Sequence, residues 1–269
     1  MIGIVTESLS CMTTEDRNFD NCVIVPAYCV WDNKIVPDSV REYPYGSRNI
    51  TTRSPSATDY FNAFCELSKT TKEIVCFTSS QKIIPSYENA MIAAKACRYA
   101  KVEVVDSGAT AGSMHMLVKL CRALEGIGVG FSDIVKILRQ QRKNIVATFT
   151  LKSVHSIKAS SRSGAIRFDC PMPILNQRPI FYFEADGSIT LKKNASGNVN
   201  MERELLEPHK KHFPRRIALY YSDVTTPVRE LIREIKESFP DADVMSRRVS
   251  HAIRANTGEN LICIVSHSM

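Results

Sequence analysis

The stretch EIVCFTSSQKIIPSYENAMIAAKAC, residues 73–97, contains the repeating unit that decides the fold. Its first part, residues 73–79, is a short apolar run that is typical of a buried strand and ends in hydroxyl side chains. Pro85 and Ser86 then begin a segment in which apolar residues recur at helical spacing. The stretch therefore predicts a strand, a polar loop and a helix in direct succession.

Similar units occur elsewhere in the first half of the chain. IGIVTES (2–8) and KVEVVDS (101–107) are predicted strands with polar ends, and helices are predicted from about Thr110 and from Phe131. The apolar run CVIVPAYCVW (22–31) contains a proline that suits an edge strand or a bend. Strands that alternate with helices predict a parallel sheet with helices on both faces. Open α/β proteins bind ligands at the carboxyl edge of such a sheet, where these hydroxyl groups are expected to gather.

The second half of the chain has a different pattern. Two strands around Ala185-Asp186-Gly187 predict a hairpin, with a loop at 193–197, and an amphipathic helix at 226–239 lies between two further strands. We predict two domains, an N-terminal parallel-sheet α/β sandwich at 1–150 and a C-terminal α+β domain at 151–269.

Length and composition favour a folded protein without a membrane span. The chain has 269 residues, of which 44% are hydrophobic and 23% are charged. No apolar run reaches the ~18 residues of a membrane span, and the first residues read as a strand rather than a signal peptide. We therefore expect a cytoplasmic protein. The nine cysteines include no CxxC pair, which favours reduced, structural cysteines.

The motifs of several enzyme classes are missing from the sequence. There is no P-loop, no GxSxG and no HExxH, and the Gly-rich stretch GIGVG (126–130) follows a predicted helix instead of a strand. His209 and His212 lie in a basic stretch without an evident third ligand. The net charge of +7 favours an acidic partner or ligand, but no module for nucleic-acid binding is recognisable. We expect no catalytic residues, no metal and no cofactor.

Hydroxyl side chains are concentrated in ITTRSPSATDYF (50–61), just before a predicted helix. One interpretation is a helix cap, since Ser56 and Asp59 have the spacing of a capping box. The other is a site for an anion, because neutral donors at strand and helix ends hold a carboxylate well. Hydroxyl groups at successive strand ends favour a site. Taken singly, Thr52, Ser56 and Ser86 are typical helix caps, but their joint occurrence favours a site. The hydroxyl residues predicted to bind the ligand are Thr52, Ser54, Ser80 and Ser86.

Seven segments, in order, match the motifs of one protein family. They are IGIVTES for VTDS, ITTRSPS for TTSQPS, FTSSQKIIPSYENA for ISSxLSGTYQSA, VEVVDSGATAGSMHMLV for a VIDS strand and Gly-rich helix, SSRSGAIR for GGRI, MPILNQRPIFYFEADGSI for ILNIKPIL and a hairpin, and IRANTGENLICIV for IGTHTGPGALGIA. Over essentially its whole length the chain resembles the DegV family of bacterial fatty-acid-binding proteins.

This resemblance implies two α/β domains with a lipid between them. The ligand would be a long-chain fatty acid, its carboxylate on the loop hydroxyls and its acyl chain in a buried apolar tunnel. The family implies a protein that is not an enzyme and presents the acid to a partner fatty acid kinase, which forms the acyl phosphate.

The resemblance also assigns individual positions. Thr52 falls on the threonine that contacts the carboxylate, and Arg162 falls on the family arginine. Ile84 replaces the serine of the SGT triplet, which removes a donor, and Ser86 takes the place of its threonine. Asn256 replaces the family histidine; it can donate and accept hydrogen bonds but cannot titrate.

These substitutions leave an alternative open. Ile84 and the additional Arg53 in the loop also suit a divergent member that binds a different small anion or a phosphorylated lipid. The kinase partnership stays open for the same reason, because the changes lie at the head group.

Overall fold

The computed structural model describes residues 1–12, 16, 21–38, 50–152, 154, 157 and 161–268. The strands are β1 (Gly3–Glu7), β2 (Cys22–Val25), β3 (Tyr28–Trp31), β4 (Lys34–Pro37), β5 (Thr51–Arg53), β6 (Glu73–Thr78), β7 (Lys101–Asp106), β8 (Val146–Thr150), β9 (Ile166–Phe168), β10 (Gln177–Phe183), β11 (Ile189–Ser196), β12 (Arg216–Tyr221), β13 (Asp243–Arg248) and β14 (Ile262–His267). The helices are α1 (Ala57–Leu67), α2 (Ser86–Ala96), α3 (Gly112–Gly126), α4 (Phe131–Gln141), α5 (Asn198–Lys210), α6 (Thr226–Ser238) and α7 (His251–Thr257).

The first sheet is parallel and has the strand order β2-β1-β6-β7. Side chains alternate between its faces, so Val5 and Cys76 pack with helices α1 and α2, while Ile4 and Phe77 point to the opposite face and helix α3. Both faces are covered, which explains the almost continuous apolar runs of these strands. The predicted parallel sheet with helices on both faces is confirmed.

The proline in the run CVIVPAYCVW marks a change of sheet. Strand β2 ends at Val25 in the parallel sheet, and strand β3 begins at Tyr28 in a three-stranded antiparallel sheet with the order β4-β3-β5. Pro26 lies between the two strands, where a residue without an N–H group costs no ladder hydrogen bond. The predicted bend is therefore confirmed.

The third sheet is mixed, with seven strands in the order β13-β12-β14-β8-β10-β11-β9. Strand β8 pairs with both β10 and β14, although it ends at residue 150, within the predicted N-terminal domain. A domain boundary that follows the sheets therefore falls before Val146, and the predicted boundary at 150 cuts off one strand of this sheet. Helices α5 and α6 cover one face through a separate apolar core that includes Leu205 and Leu231.

The hairpin of β10 and β11 is confirmed, but the predicted loop at 193–197 is wrong. Strand β11 continues to Ser196 because the residues after Lys193 pair with the first residues of β10, ending at Ser196 opposite Gln177. The register shifts between Ile180 and Phe181, where Lys192 of β11 is the extra residue of a bulge.

No helix in the described ranges is both long and apolar enough to cross a membrane.

His209 is a buried, neutral histidine between α5 and the seven-stranded sheet. The Thr148 hydroxyl donates to the Leu205 carbonyl oxygen at 2.9 Å, so His209 Nε2, at 2.9 Å, donates to Thr148 Oγ1. His209 Nδ1 then accepts from the Ser266 hydroxyl at 2.6 Å. Burial, together with the nearby His212, lowers the pKa of His209 to about 3 from 6.5.

This pKa predicts a defined loss of stability in acid. Above pH 6.5 the ring is neutral in both the folded and the unfolded chain, so His209 does not make the free energy of unfolding depend on pH. As the pH falls from 6.5 towards 3 the unfolded chain binds a proton that the folded chain refuses, so the free energy of unfolding falls by up to about 1.4 kcal/mol per pH unit. In His209→Gln this dependence is expected to be shallower. Urea unfolding at several pH values measures this dependence. Equal slopes in wild type and His209→Gln would contradict the assignment.

Candidate functional site

A cavity of about 540 Å³ lies between the parallel and the seven-stranded sheet. This volume is in the range of small-molecule sites. Its wall is mostly apolar, and the apolar residues are Leu9, Ala27, Ile83, Ile84, Pro85, Ala111, Phe149, Ile157, Phe183, Ile189, Val249, Ala252, Ile253, Leu261 and Cys263.

The cavity is at the predicted edge of the parallel sheet. Ser79 and Thr110 follow strands β6 and β7 in the chain, so they reach the cavity from the carboxyl ends of these strands. Phe149 and Phe183 belong to strands of the other sheet, and their rings lie 5.3 Å apart, centroid to centroid. The two halves of the chain therefore each contribute part of the wall.

Thr52 and Asn256 form a polar pair in this wall. Thr52 lies on the edge strand β5 and Asn256 on helix α7, and both are half-buried. The amide Nδ2 of Asn256 donates to Thr52 Oγ1 at 3.0 Å, and its Oδ1 lies 3.2 Å from the same oxygen. When Nδ2 donates, the hydroxyl proton of Thr52 is free to turn into the cavity. The structure thus brings together two predicted residues that are 204 positions apart.

Two arginines give the cavity a positive end. Arg53 is exposed and lines the cavity beside Ser54. Arg162 also lines it, but its guanidinium donates to Glu88 Oε1 at 2.7 Å and to the Gln81 carbonyl oxygen at 3.0 Å. Glu88 offsets part of that charge. Among the described wall residues there is no carboxylate, so the cavity favours an anionic or neutral ligand over a cation.

Three further predicted residues have other surroundings. Ile84 contributes only apolar surface to the wall. The Ser80 hydroxyl donates to the Gly187 carbonyl oxygen at 2.7 Å and so joins the end of β6 to the β10–β11 hairpin. Ser86 is fully buried beside Glu7, and its nearby hydroxyl lowers the pKa of that carboxyl. Neither Ser80 nor Ser86 is in the described wall, so contact with a ligand stays a prediction for both.

The polar wall residues Ser79, Thr110 and Asn89 were not among the predicted site residues. Ser79 stands beside the chosen Ser80 in FTSSQ, and since neighbouring residues of an extended chain point to opposite sides, only one of the two could face the cavity. Asn89 lies one turn after Ser86 in α2 and donates to the Pro55 carbonyl oxygen at 2.8 Å. It thereby links α2 to the hydroxyl-rich loop.

Glu7, at the end of β1, is a fully buried carboxyl behind the wall. It accepts hydrogen bonds from the Tyr60 hydroxyl at 2.8 Å, the Ser79 backbone N–H at 3.0 Å and the Ser79 hydroxyl at 2.7 Å. Burial raises the pKa of Glu7, while the bonds from Ser79, Tyr60 and Ser86 lower it in part. No local pattern predicts this burial, because a polar residue that ends a strand is usually exposed.

The helix cap and the polar wall coexist in the loop before α1. Ser56 Oγ accepts from the Asp59 N–H at 3.2 Å, and the Asp59 carboxylate accepts from the Ser56 N–H at 2.8 Å. The predicted capping box is therefore confirmed, and it uses residues other than Thr52 and Ser54. Where the chain is described, no group of three His, Cys, Asp or Glu side chains is arranged to hold a metal.

Comparison with known proteins gives a consistent result. The family model described as "Uncharacterised protein, DegV family COG1307" matches residues 1–268. A DegV domain-containing protein of Staphylococcus aureus (strain N315) is 24% identical over 97% of both chains. The structure of a DegV family protein from Thermus thermophilus, described by its fatty acid binding, superposes with a TM-score of 0.87 at 21% identity and covers 100% of this chain and 99% of its own. A stearic acid-binding protein from Eubacterium ventriosum superposes equally well, with a TM-score of 0.87, 18% identity and the same coverage.

The fold and the cavity define an α/β protein with a parallel and a mixed sheet and an internal, mostly apolar binding cavity between them. The chain belongs to the DegV family.

The contact between Ser80 and Gly187 predicts a strong coupling between the two sheets. Gly187 has φ +87°, and an added Cβ would lie 2.4 Å from Ser80 Oγ. Gly187→Ala is expected to lower the free energy of unfolding by about 1–3 kcal/mol through the clash and the left-handed backbone. Ser80→Ala leaves the Gly187 carbonyl without its partner and costs about 1–2 kcal/mol.

The double variant distinguishes the specific Ser80–Gly187 contact from independent destabilisation by each substitution. Removal of Ser80 Oγ also removes the atom that the new methyl group meets, so the loss in Ser80→Ala/Gly187→Ala should be smaller than the sum of the single losses. Urea unfolding of the four proteins measures the coupling. Strict additivity would show that the hairpin is not held by this contact.

Proposed function

We propose that this protein binds a long-chain fatty acid without catalysing a reaction on it. In this proposal the carboxylate accepts hydrogen bonds from Thr52 and Asn256, and the acyl chain occupies the apolar part of the cavity. The observation that carries the proposal is a single cavity with a mostly apolar wall, an uncharged donor pair and two arginines, without a carboxylate in its described part.

The energetics suit this division of roles. A saturated chain of ~15 methylenes gains up to ~12 kcal/mol on leaving water, before the cost of ordering it is subtracted. The acyl chain can therefore supply most of the affinity, and the head group needs only to be oriented. Related DegV proteins described as fatty-acid-binding support the same class of ligand.

Presentation to a fatty acid kinase is the finer part of the proposal. Arg53 is exposed and also lines the cavity, so the polar end is close to solvent and within reach of a partner protein. The test is acyl-phosphate formation by a purified fatty acid kinase with ATP and the loaded protein. No acyl phosphate in that assay would limit the function to storage or transport of the acid.

A second candidate is the binding of a different small anion or a phosphorylated lipid. Arg53 and Arg162 favour it, since guanidinium groups bind phosphate in a bidentate manner, and Ile84 reduces the donors available to a carboxylate. A thermal-shift screen of fatty acids, lysophosphatidic acid and inorganic phosphate separates the candidates. Stabilisation by phosphorylated ligands alone would replace the first proposal by the second.

The decisive experiment on the first proposal is native mass spectrometry of the purified protein, followed by solvent extraction and identification of the lipid. A fatty acid at near-stoichiometric occupancy would support it. A protein that is purified without lipid and takes up no added fatty acid would contradict the proposal.

Thr52→Val should weaken fatty-acid binding by about 10- to 100-fold, because a hydrogen bond to a charged group contributes ~1.5–3 kcal/mol. Valine keeps the shape of threonine, so the cavity volume is unchanged. The control is Thr51→Val, since Thr51 lies on the same strand but is exposed and is not part of the described wall. Displacement of a fluorescent fatty acid measures both variants. Equal affinities for the two would remove Thr52 from the site.

A further inference from the structure

Glu7 is fully buried and lies directly behind the cavity wall, in contact with the wall residue Ser79. The carboxyl is fully buried, and no cation among the described residues forms an ion pair with it. Its titratable neighbours are Tyr60 of α1 and Cys76 of β6, and burial with the nearby Glu7 raises the pKa of both, so they are neutral. Ser79 and Ser86 complete its surroundings. Its charge is therefore balanced by hydrogen bonds alone.

The two oxygens of Glu7 have different partners. Oε1 accepts from the Tyr60 hydroxyl and from the Ser79 backbone N–H, a donor that cannot reverse its role. Oε2 accepts from the Ser79 hydroxyl, at 2.7 Å. A proton bound by Glu7 therefore sits on Oε2, between the carboxyl and Ser79 Oγ.

Ser79 transmits this protonation state to the cavity, because a hydroxyl group has only one proton to donate. When Glu7 is ionised, Ser79 donates that proton to Oε2 and presents only lone pairs to the cavity and to Thr110, whose Oγ1 lies 3.5 Å away. When Glu7 is protonated, Oε2–H donates to Ser79 Oγ, and the serine proton turns towards the cavity. The wall at Ser79 is an acceptor in one state and a donor in the other.

We infer that Glu7 is a positioning residue that sets the polarity of Ser79, so that a ligand carboxylate at this wall binds together with a proton on Glu7. The inference rests on the proposed function. The carboxylate accepts the hydrogen bond that Ser79 offers only in the protonated state. The bound proton also removes the repulsion between two carboxylates in a site of low dielectric. A neutral ligand with a hydroxyl head group donates to Ser79 in the ionised state and needs no proton.

The test is calorimetric titration of the delipidated protein with dodecanoate and with dodecan-1-ol, in buffers of different ionisation enthalpy, at a series of increasing pH values. For wild type and dodecanoate, proton uptake is expected to rise towards about one per ligand as the pH increases and Glu7 ionises in the free protein. For dodecan-1-ol it should stay near zero. In Glu7→Gln the uptake with dodecanoate is expected to fall to the small amount that the ligand itself contributes.

Two more variants keep the test decisive. Ser79→Ala retains Glu7 but removes the relay, and it should reduce the uptake even if Glu7→Gln does not fold. Glu66→Gln, an exposed site on α1, should behave as wild type. Equal proton uptake in wild type, Glu7→Gln and Ser79→Ala would overturn the inference alone. A wild-type protein that binds no dodecanoate would overturn the proposed function as well.

Discussion

Helix α3 is covered on two opposite sides, and both large sheets depend on this burial. Ten of its fifteen residues are buried, and it contacts β6 of the parallel sheet as well as β12 and β14 of the seven-stranded sheet. The approach is close at Gly112, where an added Cβ would lie 2.3 Å from Tyr220 Cε2. One apolar core therefore continues across both sheets. Thr110 and Ala111, just before the helix, line the cavity, so the cavity lies at the N-terminal end of α3.

The polar groups around the cavity are satisfied mostly by hydrogen bonds rather than by ion pairs. Thr52 and Asn256 pair with each other, Ser80 bonds the hairpin backbone, and Glu7 is held by hydroxyl and amide donors. Neutral donors cost less to desolvate than charges, so they are compatible with a mostly apolar wall. Such donors can orient a polar head group without adding a charge of their own to the wall. The proposed roles of Thr52 and of Glu7 both depend on this property.

Local patterns were sufficient to predict the parallel sheet, because β1, β6 and β7 are apolar runs with helical segments near them and the Ser56–Asp59 cap is a short-range signal. They were insufficient for strand β8, whose place is decided by pairing with β10 and β14 far along the chain. Thr52 was a candidate from the local hydroxyl pattern, but Asn256 entered the predicted site only through the family resemblance, since no local rule relates residues 204 positions apart. Ser79 and Ser80 are adjacent and chemically identical, so the sequence cannot distinguish them. The fold turns the Ser79 side chain to the cavity wall and the Ser80 side chain to the hairpin.

The origin of the Thr52–Asn256 pair in the two halves of the chain has a consequence for biosynthesis. Domains generally fold as units during synthesis, starting from the N-terminal side. The parallel sheet and the hydroxyl-rich loop are complete once β7 has emerged, but Thr52 acquires its partner only after residue 256 has been made. Strand β14, which carries Cys263 into the wall, follows later still. A nascent chain therefore has the hydroxyl-rich loop before it has the complete cavity, and the wall is finished only after strand β14 has been made.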